Sequence, residues 1–389
     1  MKQELDIDMA AGQCLDGALD SAQFNEMLEW LASDPAITGH IPDQTCQLDP
    51  RDGSLVVYNA ARSERFHDIR IRPAEVKDAG QPCPICEGKI TRILDLAPLS
   101  EGFTFISQNL FPILNPTPRL ADELLSRAMY PDPEHSGRVA YGMHLLQWTS
   151  SRHHTDWHNM PVDDLCVVLH RLARLEKRLT RGATGYMPSM DRNNNFFGSF
   201  SIIKNWGAAA GASLSHGHQQ VAFSNIMPQR AFNNWSFYHR HNCTFSQFML
   251  TENPTELTVT ESSQWRLVVP YFMQRPLSLM LLHRGTEIQH LYQLDEAGVQ
   301  ELGELMQQTI RILLELIPAF GKPPAFNFAI HNGPNNDVYV EFFPVTQTIG
   351  GFERLGLWIC QEKPHDSARR LRQTLAKLPP IEKQNIAGG

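Results

Sequence analysis

The chain has 389 residues, room for two or three domain-sized units and for a core that holds together without disulfide or metal staples. Apolar residues make up 42%, charged residues 20% and aromatics 9%, which excludes a disordered, collagenous or coiled-coil protein. Lys and Arg number 34 against 42 Asp and Glu, a net charge of −8; this argues against a broad nucleic-acid-binding surface but leaves room for a phosphate held by a few arginines and backbone amides.

Residues 1–45 read as an N-terminal helical extension. Phe24, Met27, Leu28 and Leu31 recur at helical spacing behind Asp20 or Ser21 as a cap, and Pro42-Asp43 then break the chain. The N-terminus lacks a charged-then-apolar signal pattern, and no run of 18 apolar residues exists to span a membrane. Leu55-Val56-Val57-Tyr58 reads as a short strand after an Asp52-Gly53 turn. Residues 78–86, including PCPIC, read as a loop; residues 103–114 read as strand, and residues 115–135, with four prolines, as loop.

Two later segments share one order of elements. Residues 142–207 run strand, helix (PVDDLCVVLHRLARLEKRL), then a strand ending in Asn205. Residues 265–333 run strands, helix (DEAGVQELGELMQQTIRILLELI), then a strand ending in Asn332, 127 residues further on. In each helix apolar positions recur at three and four residues, so one face is buried. A second strand follows each Asn: ASLSHGHQQVAFS in the first segment, DVYVEFFPV in the second. The pattern is that of an α+β protein built on an internal duplication.

The seven cysteines stand at 14, 46, 83, 86, 166, 243 and 360, an odd and scattered set rather than a disulfide framework, as suits the reducing cytoplasm. Cys83 and Cys86 form the one Cys-x-x-Cys pair, in a loop with Pro82, Pro84 and Gly88. A redox pair would usually open a helix, so the loop reads as a zinc knuckle. Tetrahedral zinc needs two further ligands, and HHTDWH offers His153, His154 and His158.

The most informative stretch is Asn205-Trp-Gly-Ala-Ala-Ala-Gly211-Ala-Ser213-Leu-Ser-His216-Gly-His218-Gln-Gln220. Its first part is small and Gly-rich, so a phosphate can approach the backbone. Its second part reads as a strand that sets His216, His218 and Gln220 on one face. Two imidazoles and an amide on one face are costly to bury without partners.

These residues resemble the galactose-1-phosphate uridylyltransferase branch of the histidine-triad superfamily, which includes members like ADP-glucose phosphorylase. The likeness extends over roughly residues 46–375: DPRDGSLVVYNAARSER, PCPIC, QWTSSRHHTDWHNMPVDDL, WRLVVPYFMQRPLSLMLLHR and IGGFERLGLWICQEKPHDSARRLR each resemble a segment of that family. The resemblance implies two histidine-triad-like halves with antiparallel sheets and packed helices, here 46–230 and a degenerate 231–389. It implies that His218 is the nucleophile forming a nucleotidyl-histidine, its other ring nitrogen held by a main-chain carbonyl. Gln220 would donate to the transferred phosphoryl group. Asn205, Gly211 and Ser213 would line the phosphates, with Arg62 and Arg65 as an arginine pair beside them. Structural zinc would sit on Cys83, Cys86, His153 and His216.

The implied reaction is UMP exchange between a UDP-sugar and a hexose 1-phosphate. The string His-Gly-His-Gln-Gln departs from the His-Pro-His-Gly-Gln usual in uridylyltransferases, at Gly217 and Gln219. That admits the alternative of a phosphorylase acting on ADP-glucose, another nucleoside diphosphate sugar or a dinucleoside polyphosphate. In the second half Tyr339 and Glu341 stand where a His-x-His pair would be, beside His331, so no second metal is expected. Trp206 is a candidate for stacking on a base, with core packing as its other role, and Gln347 for the sugar. Phe232, Trp235, Phe237, Tyr238 and Phe245 form an aromatic cluster for core or interface packing. Members of the family are often dimers, so a homodimer is admitted.

Overall fold

A computed structural model describes residues 3–41, 45–48, 55–57, 82–116, 137–182, 199–285, 288–333 and 336–379. In chain order its elements are α1 (Ile7–Ala11), α2 (Phe24–Ala32), β1 (Thr45–Leu48), β2 (Leu55–Val57), β3 (Ile93–Pro98), β4 (Phe103–Gln108), β5 (Gly137–Val139), β6 (Gly142–Trp148), α3 (Val162–Gly182), β7 (Ser199–Trp206) and β8 (His218–Ser224). Then follow α4 (Gln229–His241), α5 (Phe245–Glu252), β9 (Thr258–Glu261), β10 (Trp265–Val268), β11 (Leu279–His283), α6 (Glu296–Leu316), β12 (Phe326–His331), β13 (Tyr339–Pro344), α7 (Gly351–Arg354) and α8 (Pro364–Leu375).

The expected helix of the N-terminal segment forms as α2, and Phe24, Met27, Leu28 and Leu31 are its buried face. Its cap is neither Asp20 nor Ser21. The chain is still extended at Gln23, whose backbone N–H donates to the Glu26 carboxylate one turn on. The strand expected over 103–114 ends at Gln108. There the Asn109 side-chain carbonyl accepts the Phe111 N–H and turns the chain away.

Ten strands form one antiparallel sheet in the order β3-β4-β6-β8-β7-β12-β13-β11-β10-β9, and β2-β1-β5 form a small second sheet. In the large sheet, β3-β4-β6-β8-β7 and β9-β10-β11-β13-β12 follow the same succession, with one long helix before the last pair of each. They meet where β7 pairs β12, with Asn205 opposite Asn327 and Ile203 opposite Ala329.

The pleat sends alternate side chains to opposite faces. One face is closed by α3 and α6. Leu165, Val168, Leu169, Leu172, Leu175 and Leu179 of α3 join Leu302, Met306, Ile310 and Leu313 of α6 in a single cluster with Leu145, Ile202, Val221, Leu281, Phe328 and Val340 of the sheet. The helices meet where Gly303 of α6 faces Leu165 and Leu169 of α3. The opposite face carries Trp148, His218, Gln220 and Asn205. At its far end α5 packs Met249 and Phe245 onto Met280, Leu282 and Tyr339. The aromatic cluster lies on α4 and α5, with the Phe237 and Phe245 rings edge-on at 5.5 Å. Among the described residues no helix is long and apolar enough to cross a membrane.

Leu172 is fully buried between α3 and the rest of this cluster. Leu172→Ala is expected to lower unfolding free energy by about 2–5 kcal/mol in a denaturant titration.

Candidate active site and metal cluster

Strand β8 starts at His218, so His216 lies just before it rather than on it. The two imidazoles therefore serve different directions, and one face carries His218 with Gln220. His216 turns toward the knuckle loop. Its Nδ1 lies 3.5 Å from Cys86 Sγ and 3.7 Å from Cys83 Sγ, and its Nε2–H donates to the Ser150 carbonyl at 2.8 Å. His153 Nδ1 lies 3.7 Å from Cys86 Sγ, and its Nε2 meets Ser215 Oγ at 3.1 Å. The four donor atoms of Cys83, Cys86, His153 and His216 all lie within 4.8 Å of one another.

This set fits zinc. Tetrahedral bonds of about 2.3 Å to sulfur and 2.05 Å to nitrogen put S and N roughly 3.6 Å apart, the separation seen at both rings. Each histidine already has a partner on its other nitrogen, the arrangement that aims a metal ligand. The hydrogen bond between the two thiols lowers Cys83 and raises Cys86, so one thiolate is at hand and the second forms as a metal displaces its proton. Of the three imidazoles in HHTDWH the fold brings His153 to the cluster. His154 stacks edge-on against His153, and His158 packs against Trp206.

His218 is almost wholly buried, and its Nδ1–H donates to the His216 carbonyl at 2.8 Å. That bond leaves Nε2 as the base nitrogen. Burial holds the imidazole at about 4, below its ordinary value, against the pull of the carbonyl bond, so the ring is neutral near pH 7.

Beneath it lies an ion pair absent from the sequence reading. Lys204 Nζ reaches Asp156 at 2.8–3.0 Å and donates to the His218 carbonyl at 3.0 Å, with both side chains buried. Burial favours the neutral form of each, yet the facing ammonium holds the Asp156 carboxyl below its ordinary value. Asp156 also explains Gly217: a Cβ there would meet the Asp156 carboxyl carbon at 2.5 Å, so proline does not fit this chain. Gln219 has a role of its own. It points to the helix-covered face, donates to Gln147 at 2.6 Å and accepts from the Trp157 indole at 3.1 Å.

The loop after β7 carries the phosphate-side candidates. Gly211 has φ +86°, a left-handed conformation that a side chain would strain. Asn205 is set by Asn327, whose amide donates to Asn205 Oδ1 at 2.7 Å and to the Ala210 carbonyl at 2.8 Å. Nothing in the sequence signals Asn327, because the contact exists only through the β7–β12 pairing. Asn205, Gly211, Ser213, His218 and Gln220 line one cleft, walled by Phe111, Leu146 and Trp148. Arg62 and Arg65 lie outside the described residues. Trp206 stacks on Phe326 at 5.9 Å, which is core packing. The Gln347 amide is committed to the backbone of Ile359 and Gln361. In the second half, Glu341 contacts His331 at 2.8 Å and Arg230 at 3.2 Å.

No protein-family model matches the chain. An ADP-glucose phosphorylase of Arabidopsis thaliana is 22% identical over 348 residues, which cover 84% of this chain and 91% of that protein. A solved uridylyltransferase structure superposes with a TM-score of 0.63 at 17% identity, covering 86% of this chain and 99% of that one. The Arabidopsis thaliana ADP-glucose phosphorylase with bound ADP-glucose superposes with a TM-score of 0.59 at 18% identity, covering 85% and 99%. The chain therefore has the mixed helix and antiparallel-sheet fold of the uridylyltransferase structures. The likeness to the ADP-glucose phosphorylase and to the uridylyltransferase structure extends along most of the chain.

Removing one partner of a buried ion pair strands the other charge. Lys204→Met is expected to cost about 3–5 kcal/mol by chemical denaturation, and adding Asp156→Leu to recover much of that. Equal stability of Lys204→Met and the parent would mean the pair carries no weight.

Proposed function

We propose that the chain is a nucleotidyltransferase that acts on a nucleoside diphosphate sugar through a covalent nucleotidyl-His218. The observation that carries this is the buried neutral imidazole, tethered through Nδ1 to the His216 carbonyl, in the cleft with Gln220 and Ser213. Nε2 of His218 attacks the α-phosphorus, the bond from that phosphorus to the bridging oxygen breaks, and the sugar 1-phosphate leaves. An acceptor phosphate oxygen then attacks the adduct and returns the electron pair to Nε2. The Gln220 amide and the loop from Asn205 to Ser213 stabilise the phosphoryl oxygens as charge shifts. Arg62 and Arg65 belong to the same reading as phosphate ligands.

The leading form of the reaction is hexose-1-phosphate uridylyltransfer, in line with the likeness to the uridylyltransferase structure. A second form, phosphorolysis of ADP-glucose or a related donor, draws support from the Arabidopsis thaliana relative and its structure with ADP-glucose bound. Cys83, Cys86, His153 and His216 would hold a structural zinc, which supplies a rigid cross-link beside the nucleophile and no chemistry of the transfer.

The same reading takes the two five-stranded runs as halves of a duplication, 46–230 and 231–389, behind the extension 1–45, with the second half degenerate and without a metal of its own. It places the protein in the cytoplasm, where the thiols of the cluster stay reduced. A homodimer belongs to it as well. The exposed Phe352, Leu355, Leu357 and Ile359 offer apolar surface to bury in one.

The test is intact mass after separate incubation with UDP-glucose and ADP-glucose under mildly alkaline conditions. A UMP adduct supports the first form and an AMP adduct the second; His218→Ala is expected to abolish either. Absence of any adduct from zinc-loaded protein would overturn the reading. In metal analysis, native protein is expected to carry about one zinc per chain and Cys83→Ser far less. Equal zinc in both would remove the knuckle from the site.

A further inference from the structure

We infer that His144 is a positioning residue that fixes the orientation of the Gln220 amide. This rests on the nucleotidyl-transfer reading above and deepens it. His144 is buried on β6, on the same sheet face as Gln220 and 76 residues away from it in sequence. The backbone N–H of Ile113 donates to His144 Nδ1 at 3.0 Å. A backbone N–H can only donate, so Nδ1 carries the lone pair. The proton of the neutral ring is then on Nε2, which lies 3.0 Å from Gln220 Oε1. A proton there requires an acceptor opposite, so the amide presents its oxygen to His144 and turns its NH₂ away.

The neighbouring amide offers no competing acceptor for that proton. Asn109 Oδ1 accepts the Phe111 N–H at 2.9 Å, which leaves the Asn109 NH₂ toward His144 at the longer distance of 3.4 Å, a contact and not the bond. Among the described residues the Gln220 NH₂ has no partner, and Gln220 lines the cleft with His218. His144 thus converts a side chain with two nearly isosteric ends into one with a defined donor end. An unheld glutamine could present its carbonyl to the phosphoryl oxygens, and like partial charges would repel where stabilisation is needed. The order Ile113 N–H to His144, then His144 to Gln220, means that the main chain after β4 sets the polarity of a group two strands away.

The experiment follows nucleotidyl-His218 formation with UDP-glucose and ADP-glucose by rapid-quench mass analysis in the full chain. His144→Phe keeps a ring and loses both nitrogens. It is expected to slow adduct formation on the order of 10²-fold, the usual effect of losing one donor to developing charge, with little change in donor KM. His144→Gln can accept from Ile113 and donate to Gln220, and is expected to restore most of the lost rate. In a Gln220→Ala background, His144→Phe should add nothing, because the group it positions is gone.

A folded His144→Phe that reacts at the parental rate would overturn the inference, as would an undiminished effect in the Gln220→Ala background. If His144→Phe fails to fold, the ring tautomer decides: long-range ¹⁵N NMR of histidine-labelled protein is expected to show His144 protonated at Nε2, and a proton on Nδ1 would overturn the inference. The tautomer is read without substrate. Loss of adduct in the parent protein would therefore sink the nucleotidyl-transfer reading while leaving this measurement to judge His144.

Discussion

The buried pair of Lys204 and Asp156 is the constraint on which the site depends. Two opposite charges out of water must satisfy each other and every remaining donor. The third partner of Lys204 is the His218 carbonyl, so solvating the ammonium fixes the backbone at the start of β8. Asp156 sits three residues beyond His153 and against Gly217, and so joins the metal loop to the histidine loop. Removing either charge leaves the other unpaired in the interior. The departures at Gly217 and Gln219 fall into place here. Glycine leaves room for Asp156, and the glutamine ties β8 to Gln147 and Trp157 on the helix-covered face.

Around this core the site is assembled by cross-linking. Cys83 and His216 are 133 residues apart in sequence, yet their donor atoms meet beside the strand that carries His218. The same economy recurs at Asn205, which is aimed by Asn327 from the other run of strands. The cleft-lining Asn205, His218 and Gln220 are each held by a partner: Asn327, the His216 carbonyl and His144. Preorganisation of this kind spares the reaction the cost of ordering its donors at the moment of transfer.

Much of this was legible in the residue pattern, for identifiable reasons. The long helices announced themselves by apolar recurrence at three and four residues, because a buried helix face has no other way to be written. The Cys83-x-x-Cys86 pair stood out because two thiols at such spacing in a loop have few other uses, whereas His153 and His216 were named by the resemblance alone. Hydrogen-bond detail was less legible. The cap of α2 moved to Gln23, since several polar side chains can end a helix and packing of Phe24 decides among them. Strand β8 begins at His218, not at Ala212 where the expected strand started, because His216 is turned aside toward Cys83 and Cys86. Trp206 and Gln347 were chemically able to contact a ligand and were instead absorbed by Phe326 and by the backbone of residues 359–361.

By itself the sequence determined which groups are present: two imidazoles and an amide at alternate positions, a glycine-rich loop and a Cys-x-x-Cys pair. These follow from side-chain identity and short spacing, which are local. The tertiary structure alone decided how each group is aimed. His153 rather than His154 meets the thiols; His144 faces Gln220 across the β6–β8 ladder; Lys204 reaches Asp156 and the His218 carbonyl. Such contacts join residues 14 to 133 positions apart, and their existence depends on strand register and helix packing. No periodicity along the chain encodes a register between two strands, so the direction of a hydrogen bond across them appears only when the sheet has formed.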